Sequence, residues 1–137
     1  MTNNPHIAHE NELINRLIIR DKRERISSLL KSKKGRTKLR RDLAHNFIFD
    51  SRYSSKIPVN TQTTNLIYDS LRGHNAPDEC YLISENSKLD GKFISLKEAI
   101  DLVIGLGFGS IISCIPGKLV YYEGEEMNQR YIIKRND

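Results

Sequence analysis

The stretch Ile111-Ile-Ser-Cys-Ile-Pro-Gly-Lys-Leu-Val-Tyr-Tyr122 decides the fold. Two apolar runs rich in β-branched and aromatic residues flank Pro116-Gly117. Proline presets φ at the second position of a turn and glycine supplies positive φ at the third, so a type II turn joining two antiparallel strands is expected. Downstream, Gly124 to Asn128 reads as a further turn and Arg130 to Lys134 as a last strand, which completes a meander. Tyr121 and Tyr122 point to opposite faces of their strand, so at most one of them is expected in the core.

Upstream, Cys80 to Ser84 reads as a buried strand and Glu85 to Gly91 as a polar loop ending in Asp90-Gly91. Ser95 with Glu98 three residues later forms a capping box for a helix running to about Ile104. Thr63 or Thr64 starts a shorter helix carrying Leu66, Ile67 and Leu71, with Gly73 as its stop. Residues 48–62, with their serines and Ile57-Pro58, read as a loop.

The first third is helical in pattern. Asn4-Pro5 suits a helix start, and Leu13, Ile14, Leu17 and Ile18 draw one apolar face. That face fades and returns at Ile26, Leu29 and Leu30, so one long helix to about Lys31 is predicted. Ser32 caps a second helix, interrupted early by Gly35, with Leu39, Leu43 and Phe47 as a narrow apolar stripe. The expected fold is α+β, with N-terminal helices packed on a small, mainly antiparallel four-stranded sheet. It is read as one domain over residues 1–137, divided into a basic helical region (1–47), a loop (48–62) and an α/β core with a C-terminal β-meander (63–137).

Charge is distributed unevenly. The net charge is +5, yet residues 1–41 hold 12 Lys/Arg against 4 Asp/Glu while the remainder is net acidic. Such a distribution bears on partners rather than on fold. Two cysteines, Cys80 and Cys114, are too few for a disulfide framework and sit in apolar runs, so both read as buried thiols. No run approaches the ~20 apolar residues of a membrane span, and the first residues carry no basic-then-apolar leader. The expectation is a small soluble cytoplasmic protein with no membrane association.

The most informative segment is Lys31-Ser-Lys-Lys-Gly-Arg-Thr-Lys-Leu-Arg-Arg41, in which seven of eleven residues are cationic. Cations beside small hydroxyl donors suit phosphate recognition, so Lys31, Lys33, Lys34, Arg36, Lys38, Arg40 and Arg41 are the candidate nucleic-acid-binding residues. Aromatic residues are missing from the segment, which speaks against base stacking on single strands.

Three other patterns have simpler explanations than the chemistry they resemble. Pro77-Asp78 and Asp90-Gly91-Lys92 match, as a bare string, the P-D…D-x-K pattern of a metal-dependent nuclease superfamily. There two carboxylates hold a metal and a lysine helps to activate water. The polar approach Asn86-Ser87-Lys88-Leu89 and the dipeptide Asp90-Gly91 fit a turn better. Gly105-Leu-Gly107-Phe-Gly109-Ser110 has the glycines of a phosphate loop but follows a helix and opens a strand, the reverse of the dinucleotide-binding order. His6 and His9 fall one helical turn apart, with no further ligand to complete a metal site.

The sequence thus points to a non-catalytic binding or regulatory module whose basic N-terminal helical region contacts a polyanion, nucleic acid or a ribonucleoprotein. A protein–protein adaptor or inhibitor acting through the N-terminal helix, with homo-oligomerisation as one form of it, is the alternative. A small metal-dependent nuclease using Asp78, Asp90 and Lys92 is the third reading. No catalytic residue, metal ligand or cofactor is assigned.

Overall fold

The computed structural model describes residues 5–126 and 129–137. It is an α+β fold in which helices cover both faces of one antiparallel sheet. The helices are α1 (Pro5–Arg16), α2 (Arg23–Leu30), α3 (Lys33–Asp42), α4 (Thr64–Gly73) and α5 (Leu96–Val103). The strands are β1 (Ser54–Lys56), β2 (Glu79–Ser84), β3 (Phe93–Ser95), β4 (Ser110–Ile115), β5 (Leu119–Glu123) and β6 (Arg130–Lys134), ordered β1-β6-β5-β4-β2-β3.

The sheet has six strands rather than the expected four. The four anticipated strands form its centre, and β1 and β3 add a three-residue edge on each side. Strand β1 lies inside the segment read as a loop. It pairs through Ser54–Ile133, Ser55–Ile132 and Lys56–Tyr131. Three-residue strands show too little alternation to be seen in a sequence, and short edges limit unwanted pairing with other chains.

The expected turn between β4 and β5 is present. Lys118 N–H donates to the Ile115 carbonyl at 2.9 Å, and Gly117 has φ 69°. Of the second turn, from Gly124 to Asn128, Met127 and Asn128 lie outside the described residues, as does Asn4 of the proposed helix start.

Central strands buried on both faces explain the continuous apolar runs. Tyr81, Ile83, Ile111, Val120, Tyr122 and Ile133 face α1–α3, together with Leu13, Ile14, Leu17, Ile26, Leu39 and Leu43. Cys80, Leu82, Ile112, Cys114, Leu119 and Tyr121 face α4 and α5, together with Ile67, Leu71, Leu96 and Ile100. Tyr121 and Tyr122 are therefore both core residues, contrary to the expectation that at most one of them would be. Both thiols are free and buried, and burial pushes that of Cys80 up to about 12.

The long N-terminal helix is in fact two. The chain leaves helix at Leu17, where Asp50 N–H donates to the Leu17 carbonyl at 2.8 Å and Ile19 N–H to the Ile48 carbonyl at 2.9 Å. Ile18 forms an isolated bridge with Phe49, and Leu17 and Ile18 are fully buried. Pairing with a segment thirty residues away outweighs the helical periodicity there.

Gly35 does not interrupt a helix. It lies in the first turn of α3, where a Cβ would meet the Leu29 carbonyl oxygen at 2.4 Å, so its lack of a side chain lets α2 and α3 approach. Helix α4 ends at Gly73 as expected, but the left-handed residue that closes it is Asn75, with φ 73°. Ala76 N–H reaches the Leu71 carbonyl and Asn75 N–H the Arg72 carbonyl, the bond pattern of a Schellman motif. Ser32, Thr63 and Ser95 cap α3, α4 and α5 through their side-chain oxygens.

Candidate anion-binding groove on the basic helices

Helices α2 and α3 form a tight hairpin on one face of the sheet, held by Leu39 and Leu43 below and by the Gly35 contact at its tip. The hairpin divides the seven candidate cations into two sets. Arg36 and Arg40 turn inward. Arg36 donates to both oxygens of Asp90, at 2.8 and 3.1 Å, and to Glu10 Oε2 at 2.6 Å. Tyr81 donates to the same Glu10 oxygen at 2.5 Å. Arg40 donates to the Ser84 carbonyl at 2.7 Å and stands 3.5 Å from Asp90.

These residues tie α1, α3 and the turn after β2 together. Burial alone would lower the pKa of Arg36, but its hydrogen bonds to Asp90 and Glu10 raise it, so the guanidinium is firmly charged. Arg36 and Arg40 therefore act as structural ties, with their guanidiniums already engaged.

The other five, Lys31, Lys33, Lys34, Lys38 and Arg41, are exposed and have no ion-pair partner among the described residues. Lys34, Lys38 and Arg41 recur at i, i+4 and i+7, one stripe of α3. That stripe borders a hollow of about 840 Å³ whose wall includes Leu29, Ser32 and Thr37. A second hollow of about 460 Å³ adjoins it, sharing Leu29 and Asp42 and adding Lys22, Arg25, Ile26, Leu39 and Ile48. Together they form a groove with an apolar floor. Its walls carry Lys22, Arg25, Lys34, Lys38 and Arg41 against Asp21 and Asp42. Sequence reading missed Lys22 and Arg25, because only the hairpin brings α2 beside α3. The helical spacing of Arg25, Leu29 and Lys22 was the signal available for it.

The remaining candidates are dispersed. Asp78 precedes β2, is 92% exposed at its side chain and pairs with Arg72. Asp90 accepts Ser84 N–H at the other end of β2, roughly 20 Å away at the usual rise per strand residue. Lys92 is exposed beside Asp90, and the two aspartates do not share a site.

The glycine loop after α5 binds a carboxylate of its own chain. Gly105 N–H donates to Glu123 Oε2 at 3.0 Å, and Tyr121 donates to the other oxygen at 2.8 Å. Burial pushes the Glu123 carboxyl above its ordinary pKa, against these hydrogen bonds and Arg130. His6 packs edgewise on Tyr81 and Phe93 and His9 edgewise on Phe93, and His9 Nδ1 lies 2.7 Å from Ser113 Oγ. Burial, with His6 nearby, lowers the His9 pKa. No group of three or more His, Cys, Asp or Glu side chains suited to a metal occurs among the described residues.

The apolar face of α1, on which an adaptor role would rest, is buried against the chain's own sheet through Leu13 and Ile14. No helix among the described residues is long and apolar enough to cross a membrane. No protein-family model, curated protein or solved structure matches the chain, so the groove is interpreted from its own chemistry.

Proposed function

We propose that the protein is a non-catalytic binding or regulatory module that contacts a polyanion, nucleic acid or a ribonucleoprotein, along the groove between α2 and α3. The observation that carries this reading is the stripe Lys34-Lys38-Arg41 on one hollow with Lys22 and Arg25 on the adjoining one, five cations in no ion pair among the described residues against two acids, Asp21 and Asp42. Phosphate contacts need unpaired cations within reach of one another, and Ser32 and Thr37 add hydroxyl groups at the same rim. The walls offer no aromatic ring to stack on a base and no Asn or Gln cluster to read base edges. Binding is therefore through backbone and shape, with little dependence on sequence.

The test is a salt titration of the parent protein and of a variant with Lys22, Arg25, Lys34, Lys38 and Arg41 changed to Gln, against duplex DNA and structured RNA. The parent should bind at low salt, with a slope of about −0.9 in log affinity per phosphate contacted on duplex DNA. The variant should lose this binding and keep its fold, because exposed cations contribute little to stability. Arg36 and Arg40 are left in place, since their loss would strand Asp90. A parent that binds neither nucleic acid at low salt, or a variant that binds as the parent does, overturns the reading.

A further inference from the structure

On the opposite face of the sheet, a cleft of about 660 Å³ opens between α4 and the edge formed by β1 and β6. We infer that this cleft binds a small organic anion with an apolar body, of the aliphatic carboxylate class. Its volume falls within the range typical of small-molecule sites, about 300–1,000 Å³. Ile57, Pro58, Leu66, Ile67 and Ile132 supply an apolar wall, and Leu66 is 46% exposed although it sits on a helix whose other aliphatic residues are buried. An apolar side chain left open beside a concave apolar wall suits a hydrocarbon body.

The polar groups specify the charge of the head. Lys134 Nζ lies 2.9 Å from His74 Nδ1, a contact in which an ammonium can only donate, so it is held in place by a group that carries no negative charge. Neither Lys134 nor Lys56, the second cation of the wall, has a carboxylate partner among the described residues. Asp69, the one acid of the wall, lies on α4 and also borders the hollow between α4 and α5. His74 and Lys134 also line a smaller hollow that adds Lys118. One end of the cleft thus holds the Lys134 ammonium and the His74 imidazole, Lys56 lies three strand positions away opposite Tyr131, and Ile57, Pro58, Leu66, Ile67 and Ile132 line the body with Ser55, Thr61 and Ser70 among them.

The head of the ligand would accept from Lys134 Nζ and from the His74 Nε2–H left free by the Lys134 contact, while its chain lies against Leu66 and Ile132. A carboxylate gains most there because charge-assisted hydrogen bonds beside an apolar wall are stronger than neutral ones. This site shares no residue with the α2–α3 groove.

The experiment is a calorimetric and amide-NMR titration of the full chain with sodium octanoate, and with octanol, octylammonium and inorganic phosphate as separate probes. Octanoate should saturate and shift amides in Ile132–Lys134 and Leu66–His74. Octanol and phosphate should each bind about tenfold more weakly or worse, and octylammonium should not bind. Lys134→Met should weaken octanoate by about tenfold with an unchanged melting temperature, and Leu66→Asp should abolish binding. The five-Gln variant of the α2–α3 groove should bind octanoate like the parent, so either proposal can fail alone. Non-saturating octanoate, octanol bound as well as octanoate, phosphate bound as well as octanoate, or a Lys134→Met variant with parental affinity overturns the inference.

Discussion

Asp90 has 8% of its side chain exposed, yet it accepts from Arg36 and from Ser84 N–H and lies beside Arg40. Removing Asp90 leaves Arg36 with Glu10 alone and Arg40 with no carboxylate, and breaking a buried pair in this way costs about 3–5 kcal/mol. Asp90→Ala should therefore lower the denaturant midpoint by an amount on that scale, whereas Asp78→Ala, at an exposed pair, should stay within about 1 kcal/mol of the parent. Equal melting of the two variants would show that the Arg36 network contributes nothing. In the sequence, Asp90-Gly91 is legible as a turn, and so it is. That Arg36 would leave the basic surface to meet it, from 54 positions earlier, is a long-range event with no local signature. The same limit explains why seven cations looked equivalent and two are not.

Elements with local chemistry were the legible ones. Ser32, Thr63 and Ser95 each accept the N–H three residues on, a bond that sequence spacing alone specifies. Pro116-Gly117 is equally local, and it permits a sharp contrast between two glycines. At Gly117 the positive φ is required, and a Cβ would also press on Arg16 Cδ at 2.7 Å. Gly117→Val should destabilise by about 1–3 kcal/mol. Gly73, the last residue of α4, has nothing within 4 Å of a Cβ and no positive φ. Gly73→Ala should stabilise by about 0.4–1 kcal/mol through the unfolded chain. Thermal melts of the pair check both signs. The break after α1 was not legible, because Leu17 and Ile18 continue the apolar period and are turned out of helix only by Ile48, Phe49 and Asp50.

At the scale of the whole molecule, the continuous apolar runs of β2, β4 and β5 belong to strands with two buried faces, which the expectation of at most one core tyrosine at 121 and 122 did not anticipate. Four strands covered on one side could not accommodate Tyr121 and Tyr122 together. The α4 and α5 layer on the second face resolves this, and the short edge strands then finish the sheet. Such a sheet is a partition. Ile14 on α1 belongs to one cluster and Ile67 on α4 to the other, with no residue common to both. Ile14→Val and Ile67→Val should each cost about 0.5–1.5 kcal/mol. Because sites with no shared partners act independently, the double variant should equal the sum of the singles within about 0.3–0.5 kcal/mol. Two changes in contact within one cluster, Phe47→Leu with Phe49→Leu, whose ring centroids lie 5.6 Å apart, should depart from additivity by more than that. A double-mutant cycle in urea reads the difference. If it holds, each core can drift in sequence without regard to the other, and the surfaces they support, the basic groove and the α4 cleft, can be altered one at a time.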